Sequence, residues 1–285
     1  MPPSDRTGPD RASAEGGGGP GSGTDFAGLA RALMPVAQAA GRAIMGHYRA
    51  GVATEYKDNW SPVTAADRDA EAIILEALSR ILPGVPVVAE EEAAAGRVPA
   101  TGDVFVLVDP LDGTREFINR RDEFTVNIAL IEGRRPTFGL VYAPAIRELY
   151  VTLGPDHAAQ AMLDADGPAD VADLSPIRAR KADIDGLVVL ASRSHMDDET
   201  RRFIARHKVK ETRNAGSSLK FCTIARGAAD LYPRFGPTME WDTAAGHAVL
   251  AAAGGTLTML DGTPFLYGKT DAGFLNPGFL AWGLR

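Results

Sequence analysis

The sequence predicts an α+β fold of alternating helical and sheet layers. Three observations predict it. Apolar residues recur at helical spacing near both ends of the chain, short apolar runs of strand length fill much of what lies between, and no internal repeat is visible. The chain has 285 residues, 45% of them hydrophobic, which is enough for a sizeable core in one large domain or two smaller ones.

Residues 1–23 are dominated by Gly, Pro, Ser, Asp and Arg and cannot bury enough apolar surface to fold, so they read as a disordered tail. From Phe26 the pattern changes. Phe26, Leu29, Leu33, Val36, Ala37, Ala40, Ile44 and Tyr48 mark one face of a helix, with Asp25 placed to cap its start and Gly51 to end it. Pro35 should kink this helix or mark its true beginning. A loop with Lys57, Asp58 and Pro62 follows, then a second helix through Ala70, Ile73, Ile74, Ala77, Leu78 and Ile81, stopped by Pro83-Gly84. Residues 85–89 and 104–108 read as buried strands, 125–131 and 138–142 as a hairpin about Gly133 and Pro136, and 149–153 as a further strand. Residues 154–186 have weak periodicity, which places a soft domain boundary near 154 and divides the folded chain into 24–153 and 154–285. Beyond it come a strand (187–191), two helices (197–207 and 218–226), a strand (229–234), a helix (243–253) and a strand (256–260).

Charge and cysteine content exclude some functions. The formal net charge of −7 argues against a protein that grips nucleic acid by charge. It leaves anionic ligands open, because a bound metal reverses the sign of a local site. The single cysteine, Cys222, permits no intrachain disulfide and suits a reducing cytosol. No run approaches the roughly 20 apolar residues of a membrane span, and the N-terminus lacks the pattern of a signal peptide.

The most specific stretch is the apolar strand that ends in Asp109-Pro110-Leu111-Asp112-Gly113-Thr114. Pro110 should block continuation of the ladder, Gly113 allows a tight bend, and Thr114 can open a helix. Two carboxylates three residues apart on such a turn converge, as a hard cation requires; an ordinary Asp-rich turn is the plainer alternative. Glu90-Glu91-Glu92 directly follow an apolar strand. One of them suits a metal, and the others suit a solvated face. Asp242, after Trp241, opens a small-residue helix, as an N-cap or as a ligand.

Taken together, Glu90-Glu91, Asp109–Thr114 and Trp241-Asp242-Thr-Ala-Ala-Gly246 resemble the three signatures of the inositol monophosphatase family, from about residue 26 to the C-terminus. The resemblance implies a layered αβαβα sandwich and a lithium-sensitive, Mg²⁺-dependent phosphomonoesterase. Within the family the chain resembles the bacterial 3′(2′),5′-bisphosphate nucleotidases. The strings that carry this are 58–67, Arg115-Glu-Phe-Ile118, 123–130, Ser192-Arg-Ser-His195, Gly216-Ser-Ser-Leu-Lys-Phe-Cys222, Leu231-Tyr-Pro-Arg-Phe-Gly-Pro237 and Phe274-Leu-Asn-Pro-Gly278. By position it implies that Glu90, Asp109 and the Leu111 carbonyl hold a first Mg²⁺, and that Asp109, Asp112 and Asp242 hold a second, within a set of two or three ions. Asp67 and Thr114 would orient and deprotonate the attacking water. Gly113, Ser218, Lys220, Arg234 and Asp242 would contact substrate.

That substrate would be 3′-phosphoadenosine 5′-phosphate, with a role in sulfur assimilation. The implied location is cytoplasmic, with peripheral attachment to the inner membrane and the oligomeric state left open. Lys220 and Arg234 are otherwise solvated surface charges, and His195 lines the adenine pocket or caps the following helix. The rival readings are an inositol, sugar or histidinol phosphatase of the same chemistry, and an inactive nucleotide-binding relative.

Overall fold

The computed structural model describes residues 24–51, 55–56, 62–192 and 196–284. The expected tail, the loop residues Lys57 and Asp58, and His195 lie outside the described residues. The chain opens with helix α1 (Phe26–Ala50), strands β1 (Glu55–Tyr56) and β2 (Pro62–Val63), helix α2 (Ala65–Ile81), strand β3 (Val87–Ala89) and the short helix α3 (Glu90–Ala94). Strand β4 (Val104–Asp112), helix α4 (Thr114–Ile118) and strands β5 (Thr125–Glu132), β6 (Arg135–Ala143), β7 (Glu148–Gly154), β8 (His157–Met162) and β9 (Ser175–Ile177) follow. The remainder is β10 (Leu187–Ser192), α5 (Asp198–Ile204), β11 (Val209–Ala215), α6 (Leu219–Ala225), β12 (Leu231–Arg234), β13 (Thr238–Met239), α7 (Glu240–Ala252), β14 (Thr256–Met259), β15 (Leu275–Asn276) and β16 (Phe279–Trp282).

Asp25 caps α1 by accepting the Gly28 N–H, and Gly51 ends it, as the sequence suggests. Pro35 does not mark the beginning of α1: it lies inside a helix that starts nine residues earlier, at Phe26. Strands β3 to β9 form a seven-stranded sheet in sequence order, antiparallel except for β3 against β4. This sheet continues past residue 154 to Ile177, so the change from one sheet to the other falls between Ile177 and Leu187. The second sheet has the order β11-β10-β12-β16-β14.

The layers follow from side-chain alternation. On β5, Val126, Ile128 and Leu130 face α1 and α2, together with Leu33, Ile44, Ile74 and Leu78. Ala129 and Ile131 face the other way, into a core shared with Phe221 of α6, Val249 of α7 and Phe279 of β16. Both faces are therefore buried, which is why β5 reads as a continuous apolar run and not as an alternating one. Leu187, Val189, Leu231 and Trp282 bury the outer face of the second sheet, with Phe203 of α5 packed against them. Helices α1/α2, sheet, α6/α7, sheet and α5 make the five-layer αβαβα sandwich.

The central helical layer is thin. A Cβ added at Gly246 of α7 would stand 2.5 Å from the Phe221 ring, so α6 and α7 touch at glycine. Gly246→Val should overpack this contact and cost about 1–3 kcal/mol. Urea unfolding should show the loss as a lower midpoint with unchanged slope.

Candidate active site

Strand β4, between β3 and β5, carries Asp109 just past the end of its pairing with β3. Pairing with β5 breaks after Asp109↔Asn127 and resumes at Asp112↔Thr125. Pro110 therefore interrupts the ladder without ending it, a correction to the expected stop. Across the break the Leu111 N–H donates to Asp109 Oδ1 at 3.0 Å, folding that carboxylate back over the turn. Gly113 takes φ 95°, a left-handed conformation that suits glycine, and α4 starts at the next residue. One β-bulge and one glycine thus turn a linear motif into two convergent acids.

Glu90, the first residue of α3, and Asp242, on the third residue of α7, complete the group. Ligand oxygens of Glu90, Asp109 and Asp242 lie within 4.8 Å of one another. Asp242 is not the N-cap weighed from sequence. The helix starts two residues earlier, at Glu240, and Asp242 Oδ2 accepts the Met239 N–H at 2.8 Å. Glu92 pairs with Arg97 at the surface, at 2.5 and 2.7 Å. Of the three adjacent glutamates, Glu90 is the one that joins the group. Asp112 lines the same cleft and accepts the Ser218 N–H at 2.6 Å and Asn127 Nδ2 at 3.3 Å through Oδ2.

Burial of like charges sets the electrostatics. Burial, then the charges of Glu90, Asp112 and Asp242, hold Asp109 well above the usual carboxylate range. Burial and the charges of Asp112 and Glu90 do the same to Asp242. Burial pushes Asp112 up to about 6, against the opposing pull of Lys220. Such a set of hard oxygen donors fits a hard divalent cation, whose charge would let the acids ionise together.

Asp67 sits in the first turn of α2, 2% exposed. Its Oδ2 accepts the Thr64 N–H and hydroxyl, both at 2.7 Å, and its Oδ1 accepts Thr114 Oγ1–H at 3.1 Å. Thr114 Oγ1 also reaches the Leu111 carbonyl at 3.2 Å. The structure thus joins Asp67 and Thr114 across 47 residues of sequence. Burial raises the Asp67 carboxyl above its ordinary value, opposed by the Thr64 hydrogen bonds.

The opposite wall is cationic. The surface alternative for Lys220 and Arg234 fails: they are 5% and 8% exposed and line the same cleft, a cavity of about 220 Å³. Lys220 Nζ donates to the Ser217 carbonyl at 2.7 Å and the Ala215 carbonyl at 3.3 Å and stands over the Tyr232 ring at 5.1 Å. Burial pushes its ammonium down to about 8, against Asp112. Arg234 is held by the carbonyls of Gly236 and Pro237, each at 3.1 Å. Beyond Arg234 the cleft opens into an outer cavity of about 510 Å³ lined by Met196, Pro237, Met239 and Leu275. Ser218 lies behind the wall. Its hydroxyl donates to the Asp242 carbonyl at 2.7 Å and accepts from Asn127 Nδ2 at 3.0 Å, while Gly216 and Ser217 line the cleft beside it.

Two residues with a clear place here escaped the sequence reading. Glu71, 4% exposed, accepts the backbone N–H groups of Glu91 and Glu92, and burial pushes its carboxyl up to about 7. Asn127 bridges Asp112 and Ser218. For Glu71 a signal existed: Asp67, Glu71, Ile74 and Leu78 follow one helical stripe, so two acids stand on a buried face.

Comparison with known proteins agrees with this geometry. The inositol monophosphatase family model matches residues 26–280. A 3′(2′),5′-bisphosphate nucleotidase CysQ of Salmonella typhimurium is 44% identical over 252 residues, covering 87% of this chain and 96% of that one. The crystal structure of CysQ from Bacteroides thetaiotaomicron superposes with a TM-score of 0.77 at 36% identity, covering 91% of this chain and 98% of that one. An inositol monophosphatase from Anabaena gives a TM-score of 0.68 at 26% identity, covering 88% and 89%.

The raised carboxyls give a pH signature. A carboxyl whose pKa rises on folding binds its proton more tightly in the folded state, so metal-free protein is stabilised as the pH falls through about 6. The buried imidazole of His247, pushed down to about 3, works the other way with or without metal. The gain in melting temperature on adding excess Mg²⁺ should therefore shrink from about pH 7.5 to about pH 5.5, as protons compete for the acids. A gain that grows on acidification would contradict this.

Proposed function

This chain belongs to the inositol monophosphatase family, and on that premise we propose that it is a 3′(2′),5′-bisphosphate nucleotidase that hydrolyses 3′-phosphoadenosine 5′-phosphate to AMP and phosphate with Mg²⁺. The observation that carries this reading is the pairing, in one cleft, of an acid cluster with two buried cations. An inositol or histidinol monophosphate has one phosphate, which the metal end holds. A bisphosphate nucleotide has a second, for which Lys220 and Arg234 supply a point charge and a planar fork. The outer cavity beyond Arg234, where Met196, Pro237, Met239 and Leu275 offer apolar surface beside the polar Asp197 and Thr238, suits a base. An inactive binding relative has no use for the Asp67–Thr114 pair. The role fits clearance of a by-product of sulfate reduction, in the cytoplasm. Among the described residues no helix is long and apolar enough to cross a membrane.

Glu90, Asp109 and the Leu111 carbonyl would hold one Mg²⁺, and Asp109, Asp112 and Asp242 another; the full complement is two or three. Bound there, the metal supplies charge neutralisation and lowers the pKa of water. The protein's own groups do the positioning. Thr114 Oγ1 would accept a hydrogen bond from the attacking water, and Asp67 Oδ1, which accepts the Thr114 hydroxyl, would receive the proton through it; Asp67 Oδ2, bound twice by Thr64, fixes the carboxylate plane. Gly113 brings its backbone close to the phosphate. Lys220 and Arg234, fixed by backbone carbonyls, orient the nucleotide at little entropic cost. The metal ligands come mostly from residues 24–153 and the nucleotide contacts from 154–285, with Asp242 crossing between them.

Asp109→Asn should abolish turnover at saturating Mg²⁺ while leaving the metal-free melting temperature unchanged or higher, since one of several clustered charges is removed. Near-wild-type turnover would refute the shared-ligand role. Lys220→Ala and Arg234→Ala should each lower kcat/KM for 3′-phosphoadenosine 5′-phosphate by about 10- to 150-fold, the range of a lost charge-assisted hydrogen bond. Hydrolysis of inositol 1-phosphate should fall much less. Equal losses on both substrates would overturn the nucleotide assignment.

A further inference from the structure

Helix α3 is only five residues long, yet its first residue is Glu90, whose carboxylate joins Asp109 and Asp242. Its N-cap, Ala89, makes no side-chain cap hydrogen bond. A helix start leaves N–H groups without intrahelical partners, and a helix this short has little intrinsic stability to hold its axis. The missing cap comes from another helix. Glu71 on α2 spends one oxygen on each of the first-turn donors: Oε2 accepts the Glu91 N–H at 2.8 Å and Oε1 the Glu92 N–H at 2.9 Å. Its side chain is 4% exposed, in a low-dielectric setting where these charge-assisted bonds are strong and directional.

Glu71 lies four residues after Asp67, on the same buried face of α2. One rigid helix thus carries the acid that receives the proton and, through Glu71, fixes the short helix that carries a metal ligand. We infer that Glu71 is a positioning residue, capping α3 from α2 so that the Glu90 carboxylate is held at the metal site in register with Asp67. It lies outside the acid cluster and outside the cleft lining. The inference rests on the metal reading of Glu90, Asp109 and Asp242. Outer-shell partners of metal ligands typically contribute about 10–100-fold to metal affinity or activity.

The variant that tests this is Glu71→Gln, nearly isosteric, which keeps one acceptor and turns the other into an N–H donor facing an N–H. Mg²⁺ is titrated into full-length, chelator-treated protein. Half-saturation is read twice, from the rise in melting temperature and from the rate on 3′-phosphoadenosine 5′-phosphate. Expected is a shift of half-saturation to about 10-fold or more higher Mg²⁺ in both readouts. The KM for nucleotide, measured at saturating Mg²⁺, should stay within about 2-fold, because Glu71 is outside the cleft lining. Arg97→Ala is the control. It removes the surface pair to Glu92 on the same helix and should leave half-saturation unchanged. If Glu71→Gln is insoluble, Glu71→Asp, which keeps the charge and both acceptors on a shorter stem, carries the same readouts.

Unchanged Mg²⁺ half-saturation in a folded Glu71 variant overturns the inference. So does an equal shift in Arg97→Ala, or insolubility of both Glu71 variants, either of which makes the role one of general stability. A wild-type protein whose melting temperature ignores Mg²⁺ would instead overturn the metal reading itself.

Discussion

Confinement of several carboxylates in one cleft is the constraint on which the rest of the molecule depends. Glu90, Asp109 and Asp242 meet within 4.8 Å, with Asp112 on the same cleft, and burial leads the causes that lift Asp109, Asp112 and Asp242 above their usual range. A fold that holds such a group without cation must compensate it, and the compensation is visible in the architecture. Asp67 lies in the first turn of α2, Glu90 opens α3, Thr114 opens α4, the Ser218 N–H before α6 bonds Asp112, and Asp242 lies in the first turn of α7. Helix starts present partial positive charge and free N–H groups to negative side chains. The five-layer sandwich is in this sense a scaffold that brings helix N-termini from different layers to one point at the end of β4.

The same constraint suits a cationic wall that is buried and tied down by hydrogen bonds. Lys220 and Arg234 are tied to backbone carbonyls of the 215–217 and 236–237 turns, and Lys220 is stacked over Tyr232. Their charge stands across the cleft from the acids, where Lys220 tempers Asp112 and Arg234 tempers Asp242. In the proposed reading chemistry and specificity are separated in space: acids at one end would hold the reacting phosphate, and fixed cations at the other would read what is attached to it.

Much of this was legible in the sequence because the acids follow short, strongly patterned elements. Asp109–Thr114 carries its own turn chemistry, a proline and a glycine at the positions that need them. The apolar runs before Glu90 and Asp109 place Glu90 just past the end of β3 and Asp109 at the break in the β4 ladder. What was illegible has physical reasons. Val209–Ala215 is an edge strand with Lys210, Glu211 and Arg213 exposed, so it shows no apolar pattern. His157–Met162 and Ser175–Ile177 extend the first sheet by backbone pairing, with few large apolar side chains to announce them. Helix α7 starts three residues before its small-residue pattern does, because Glu240, fully buried, reads as polar; its carboxylate is taken up by Lys269 and the N–H groups of Gly268 and Lys269. Glu71 and Asn127 act through partners 20 and 91 residues away, which only the fold reveals.

The central claim is that these clustered acids are a divalent-cation site, and that the raised carboxyls of Asp109, Asp112 and Asp242 give up protons when metal binds. Titration calorimetry of Mg²⁺ into metal-free protein, repeated near pH 6.5 in buffers of different ionisation enthalpy, measures it directly as protons released per ion bound. The account predicts saturable binding with net proton release that declines at higher pH. Saturable binding with no proton release, or no binding at all, would contradict it.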